Sequence, residues 1–157
     1  MRRLRAARLA SVRVVAVFVL IVSGACAPAP SASLIRVSHP ASLVGTAWRL
    51  VSIDGHKPPA SPDVTIAFGP SDISGDGPCN SFGGTYAYDP TIGALQFGPL
   101  VSTKRACVDP VLNDAEAAYF GALHGVVGAS DDPNGRLVLA GAGPELVFEV
   151  GPQLVPA

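Results

Sequence analysis

Reactive side chains are sparse in this sequence, and the three cysteines Cys26, Cys79 and Cys107 stand out first. A thiol can take a lipid, close a disulfide, bind a metal or act as a nucleophile, and spacing separates these uses. Zinc would need further ligands at tight spacing, and the sequence has neither Cys-x-x-Cys nor His-x-x-x-His. A redox pair would also want Cys-x-x-Cys. The three histidines, His39, His56 and His124, are far apart in sequence and read as surface or helix-capping residues. Asp72-Ile73-Ser74-Gly75-Asp76-Gly77 imitates the first half of a calcium-binding loop. Its twelfth position is Gly83 rather than a bidentate Glu, so a solvated acidic turn is the better reading. Gly75-x-Gly77 and Gly141-x-Gly143 lack the third glycine of a dinucleotide loop, and no Gly-x-Ser-x-Gly elbow is present. No metal, no cofactor and no catalytic group is expected.

The use of each thiol follows from where the chain is sent. Arg2, Arg3, Arg5, Arg8 and Arg13 precede an uncharged apolar run from Val14 to Val22. Such a run reaches about 15 Å as a helix, half of the ~30 Å that spans a bilayer. A basic start, a short apolar middle and small residues after it predict a secretory signal peptide over residues 1–25. Ser23-Gly24-Ala25-Cys26 resembles the lipobox of bacterial lipoproteins, which implies acylation of Cys26; Ser23 stands where Leu is usual, and ordinary cleavage is the alternative. Residues 26–41, rich in Pro, Ala and Ser, read as the lipidated cysteine and a flexible tether. Export puts Cys79 and Cys107 in an oxidising space, which favours a structural disulfide over free buried thiols. Closing that loop of about 29 residues would stabilise the fold by about 3–4 kcal/mol on the chain-entropy model.

The whole chain of 157 residues has 11 basic and 12 acidic side chains, but without residues 1–25 six basic groups remain and the charge is −6. The near-neutral charge of the whole chain, with only three Tyr and one Trp, argues against a nucleic-acid binder, which would show a basic stripe. Seventeen Gly and fifteen Pro favour turns over long helices. Short β-prone runs lie between turn signals, at Leu43–Ile53, Val64–Phe68, Gly84–Tyr88, Ala94–Phe97, Leu100–Thr103, Arg136–Ala140 and Glu145–Val150. One segment is helical in pattern. Asp109 can cap it, Pro110 fits its first position, and Leu112, Ala115, Tyr119, Leu123 and Val126 form an apolar stripe. Asp114 and Glu116 would then sit near the positive end of the helix dipole, with Gly125 or Gly128 as terminator. The fold class expected is α+β, mostly β: a curved, partly barrel-like antiparallel sheet with one amphipathic helix packed across it.

Gly77-Pro78-Cys79-Asn80-Ser81-Phe82-Gly83-Gly84-Thr85-Tyr86 resembles the Gly-x-Cys-Asn…Gly-x-Tyr stretch of META domains, the family of HslJ-like envelope lipoproteins. Ser102-Thr103-Lys104-Arg105-Ala106-Cys107 resembles the family's second block, and Glu116, Tyr119 and Leu123 its following helix. The likeness runs over residues 42–152, the expected domain, with Gly77, Cys79, Asn80, Phe82, Gly84, Tyr86, Thr103, Ala106, Cys107 and Glu116 as motif positions. Without the family, Gly75 and Gly77 read as turn residues, Asn80 as a bonder of nearby amides, and Gly83 and Gly84 as a strand restart close to another backbone. The resemblance implies a non-enzymatic lipoprotein of the cell envelope, membrane-anchored on the extracytoplasmic side, acting as a binding module in envelope stress or drug tolerance. Its partners would be the membrane, through the N-terminal lipid anchor, and an envelope protein or apolar ligand, with no nucleic acid. Two alternatives stand beside it: an inhibitor of an envelope hydrolase acting through Ser130–Gly135, and a lipocalin-like carrier with an apolar cavity.

Overall fold

Period-two alternation of buried with less buried residues marks segments such as Thr65–Phe68, Leu137–Gly141 and Leu146–Val150, and it has one outcome: strands that turn one face inward. The computed structural model of the protein describes residues 37–151. The expected signal peptide, the expected lipidation site Cys26 and the first part of the expected tether lie outside the described residues. In chain order the elements are β1 (Thr46–Ile53), β2 (Thr65–Phe68), β3 (Asp72–Asp76), β4 (Ser81–Asp89) and β5 (Ala94–Phe97). They continue with β6 (Val101–Ser102), α1 (Pro110–His124), β7 (Val126–Asp131), β8 (Leu137–Gly141) and β9 (Leu146–Val150).

The sheet order is β3-β2-β1-β9-β8-β7-β5-β4-β6, and β3 pairs with β4 as well. Eight antiparallel strands therefore close into a barrel, with β6 as an extra strand on β4. Closure depends on β4, whose nine residues serve different neighbours along their length. Ser81–Thr85 pair with β3, Tyr86–Asp89 with β5, and Phe82 and Gly83 with β6. The weakest seam is between β5 and β7, where Ala94 and Gly128 are the paired residues. The segment before β1 strengthens it: Ser38 bridges Asp131, and the His39 Nδ1–H donates to the Ala129 carbonyl at 3.1 Å. The Tyr88 hydroxyl donates to the Pro40 carbonyl at 2.7 Å. Residues 38–40, assigned to the tether from sequence, are thus pinned to the barrel.

Inward positions are filled by Leu50, Ile66, Phe68, Ile73, Phe82, Leu95, Leu137, Leu139, Leu146 and Phe148, all buried, and Trp48 lies at the edge of the same core. Each such side chain stabilises the fold by about 1.5–3 kcal/mol relative to exposure. The helix adds Tyr119, Ala122 and Leu123. Tyr119 and Phe120 meet the Phe82 ring edge-on, with centroids 5.8 and 5.5 Å away. Asp109 caps α1 by accepting from the Val111 N–H at 2.9 Å, and Pro110 occupies its first turn.

Some local expectations need correction. The stripe does not run on to Val126: the helix ends at His124, and Val126 opens β7. The first turn holds no acidic residue, so Glu116 has work other than matching the helix dipole. The acidic stretch read as a solvated turn is β3, held on both edges by β2 and β4, with Ile73 buried between exposed neighbours. Gly75 lies inside that strand and has no positive φ; what requires glycine there is space, because a Cβ would strike the Thr65 carbonyl and come within 2.8 Å of the Phe82 ring. β4 is continuous through Gly83 and Gly84, with no restart.

Candidate functional site

Gly77–Asn80 connects β3 to β4, and Thr103–Cys107 follows β6, so the β4–β6 pairing brings the two segments together. Cys79 and Cys107 are joined as a disulfide, with Cα atoms 5.6 Å apart. Asn80 is buried beside it. Its Oδ1 accepts from the Thr103 hydroxyl at 2.8 Å and from the Arg105 N–H at 2.7 Å. Its Nδ2 donates to the Arg105 carbonyl at 3.2 Å and to Glu116 Oε1. The other carboxylate oxygen of Glu116 accepts the backbone N–H groups of Cys79, at 2.6 Å, and Asn80, at 2.9 Å. Three donors thus converge on one carboxylate, a strong arrangement because the acceptor is charged. Gly77 leaves room for it: a Cβ there would lie 3.2 Å from Glu116 Oε2 and from the Asn80 carbonyl.

Around this centre Ser81 donates to Asp76 Oδ1 at 2.6 Å, and the Arg105 guanidinium reaches the Ser81 hydroxyl at 3.5 Å. Gly84 lies where a Cβ would come within 2.8 Å of the Leu100 side chain and 2.9 Å of the Pro99 carbonyl. Ala106 is exposed. Tyr86 stands farther along β4, edge-on to Phe68 at 5.1 Å, its hydroxyl donating to the Gly69 carbonyl at 2.8 Å. Partial burial raises the Tyr86 phenol above its usual range, with Asp72 adding to the shift. Full burial of Tyr119, with Asp76 nearby, pushes its phenol up further.

The expectation that the Asn80 side chain bonds amides of its own turn is not met: only its carbonyl does so, accepting from the Gly77 N–H, while the side chain reaches a segment more than twenty residues away. Glu116 and the two sulfur atoms come within 4.8 Å of one another, the spacing of a metal site. The sulfurs are tied to each other, however, and the carboxylate already takes three N–H donors. Among the described residues no buried side-chain polar atom lacks a hydrogen-bond partner. What the cluster does chemically is hold: it cross-links the β3–β4 connection, the segment after β6 and the helix.

This convergence of the two motif blocks with Glu116 coincides with a family match, since the META domain family matches residues 41–151. The chain belongs to the META domain family. A protein from Burkholderia xenovorans solved by NMR is 28% identical, with a TM-score of 0.61 over 80% of this chain and 97% of that one. A second structure solved by NMR is also 28% identical, with a TM-score of 0.54 over 69% of this chain and 91% of that one. No curated protein matches the sequence. In this META domain the motif positions Gly77, Cys79, Asn80, Thr103, Cys107 and Glu116 meet at one point, with Phe82 under it and Gly84 nearby in the same strand. No sequence signal pointed to Glu116 as a binder of the backbone of residues 79 and 80, because the partners are 36 and 37 residues apart.

Proposed function

We propose that this META domain is exported, anchored to the membrane through a lipid on Cys26, and acts in the cell envelope as a binding module without chemistry of its own. The observation that carries the reading is the Cys79–Cys107 disulfide in a domain that follows a signal-like segment, because such cross-links persist in oxidising compartments. The polar cluster supports the non-enzymatic part: the Asn80 amide and the Glu116 carboxylate are turned on one another and on nearby backbone groups. A role in envelope stress or drug tolerance is what the family likeness suggests for such a module.

The interior, filled by leucine and phenylalanine side chains, gives no support to a lipocalin-like carrier. The inhibitor reading is favoured by one observation, the dense hydrogen bonding within the β7–β8 turn. Asp132 accepts from the N–H groups of Asn134 and Arg136 at 2.8 and 2.9 Å and pairs with the Arg136 guanidinium at 2.6 Å. Asp132 is spent on its own loop, so an inhibitory contact would have to come from its neighbours. Mass spectrometry of the mature amino terminus tests the main reading. A diacylglyceryl mass on Cys26, lost in Cys26→Ala together with membrane retention, is the expected outcome. An unmodified Cys26 in a membrane-free protein refutes the anchor.

A further inference from the structure

The Asn80 cluster ties down the chain that leaves β6, a strand with one side bare among the described residues. β6 is the last strand in the sheet order, with β4 on one edge and no paired strand on the other among the described residues. In an antiparallel ladder, successive residues alternately bond to the neighbour and face away from it. The Thr103 N–H donates to the Ser81 carbonyl at 3.0 Å. Two residues on, the Asn80 carboxamide stands in for a strand: it accepts from the Arg105 N–H and donates to the Arg105 carbonyl. Residues 103 and 105 thus bond inward, leaving the N–H and C=O groups of Ser102 and Lys104 to face outward. Glu116 fixes the surrogate amide, and Cys107 fastens the end of the segment.

We propose that this outer edge receives an extended, acidic peptide segment of a partner protein, which adds to the barrel as a further strand. The chemistry of the partner follows from charge. All twelve acidic and only five of the eleven basic side chains fall within residues 37–151. Arg49 pairs with Asp63 and Glu149, and Arg136 with Asp132. Lys57 stands alone, while Lys104 and Arg105 are exposed, adjacent and, like Lys57, in no ion pair among the described residues. A basic point beside a bare edge, on an otherwise acidic surface, selects a negatively charged strand. On the same ladder a hollow of about 390 Å³, lined by Phe82, Gly83 and Val101, can take an apolar side chain of the guest. A second copy of this chain is a poor guest, because two-fold pairing of the edges sets Lys104 and Arg105 against themselves. Cations on an edge can also serve only to prevent such pairing, and the test separates the two.

The inference rests on the binding-module reading for a partner to exist, but not on export or on Cys26, so the assay probes the edge alone. The ¹⁵N-labelled full chain, in non-ionic detergent, is titrated with an end-blocked peptide of alternating Glu and Val. Its Lys–Val counterpart and an acidic version N-methylated at alternate residues are titrated in parallel. The acidic peptide should shift the Ser102 and Lys104 amide signals and slow their hydrogen exchange, less so as salt rises, while the other two leave them unchanged. Lys104→Glu combined with Arg105→Glu should weaken binding about tenfold, with unchanged signals from the Asp132–Arg136 turn reporting an intact fold. Equal binding of the acidic and basic peptides overturns the proposal, as does binding of the N-methylated one. If no peptide binds and the double variant self-associates, the cations only guard the edge and the proposal fails; if no peptide binds and it stays monomeric, the proposal fails equally.

Discussion

Replacing Glu116 by Gln keeps the shape of the side chain and changes one acceptor into a donor. Oε2 now serves the N–H groups of Cys79 and Asn80, and Oε1 serves Asn80 Nδ2. Glutamine has a single acceptor oxygen, so in either orientation its own NH₂ faces at least one N–H. One unpaired donor costs about 1–3 kcal/mol, and the remaining bonds lose the strength that charge gave them. A total of about 2 kcal/mol follows from the same range. With an m-value of about 1.5 kcal/mol/M in urea, the unfolding midpoint should fall by about 1.3 M at unchanged m. Asn80→Asp, which sets an oxygen against Glu116, should destabilise in its turn. The double variant restores an N–H to oxygen contact and should recover about 1 kcal/mol relative to additivity; recovery stays partial because the Arg105 carbonyl then faces an oxygen. A Glu116→Gln variant within about 0.5 kcal/mol of the parent would show that the carboxylate does not fasten the loop, and the reasoning about the cluster would go with it.

Two further tests address the turn and the packing. The Asp132 carboxyl is held at about 2, first by the Arg136 backbone N–H and then by the Arg136 side chain and Asn134. Its unfolded value is about 3.9, so its contribution is complete above that pH and fades as pH falls towards 2; an NMR titration of the Arg136 amide should have its midpoint near 2, and one near 4 would contradict the assignment. Gly84→Ala forces a Cβ against Leu100 and Pro99 and should cost about 1–3 kcal/mol in thermal unfolding. Gly121→Ala, with open space around its Cβ position and a helical backbone, should instead stabilise by about 0.5–1 kcal/mol.

How much of this was legible depends on which residues carried the signal. β5 and the strands around Leu50, Phe68, Leu139 and Phe148 announced themselves by β-branched and aromatic alternation between turn residues, and the helix by its Asp-Pro start. β3 was hidden because Asp72-Ile73-Ser74-Gly75-Asp76 has a single apolar residue and poor strand propensity; pairing on both edges overrides that. β7 was hidden because Val126 lies three residues beyond Leu123 and so extends a helical stripe, while the chain has already turned at Gly125. The Cys79–Cys107 pair was legible, yet the contacts that tie Asn80 and Glu116 to it were not, since the Asn80–Arg105 and Asn80–Glu116 bonds join positions 25 and 36 residues apart. Local pattern carries no information about such distant partners.

The place of β9 bears on how the molecule comes into being. It lies between β1 and β8, pairing Arg49 with Glu149, so the earliest strand made waits for the latest one described. A nascent chain emerging amino end first cannot zip itself shut midway. Contacts this distant make folding slow, and unmated strands are sticky in the interval. A product truncated before Leu146 would be left with two raw margins, on β1 and on β8, and such margins invite clumping with its siblings.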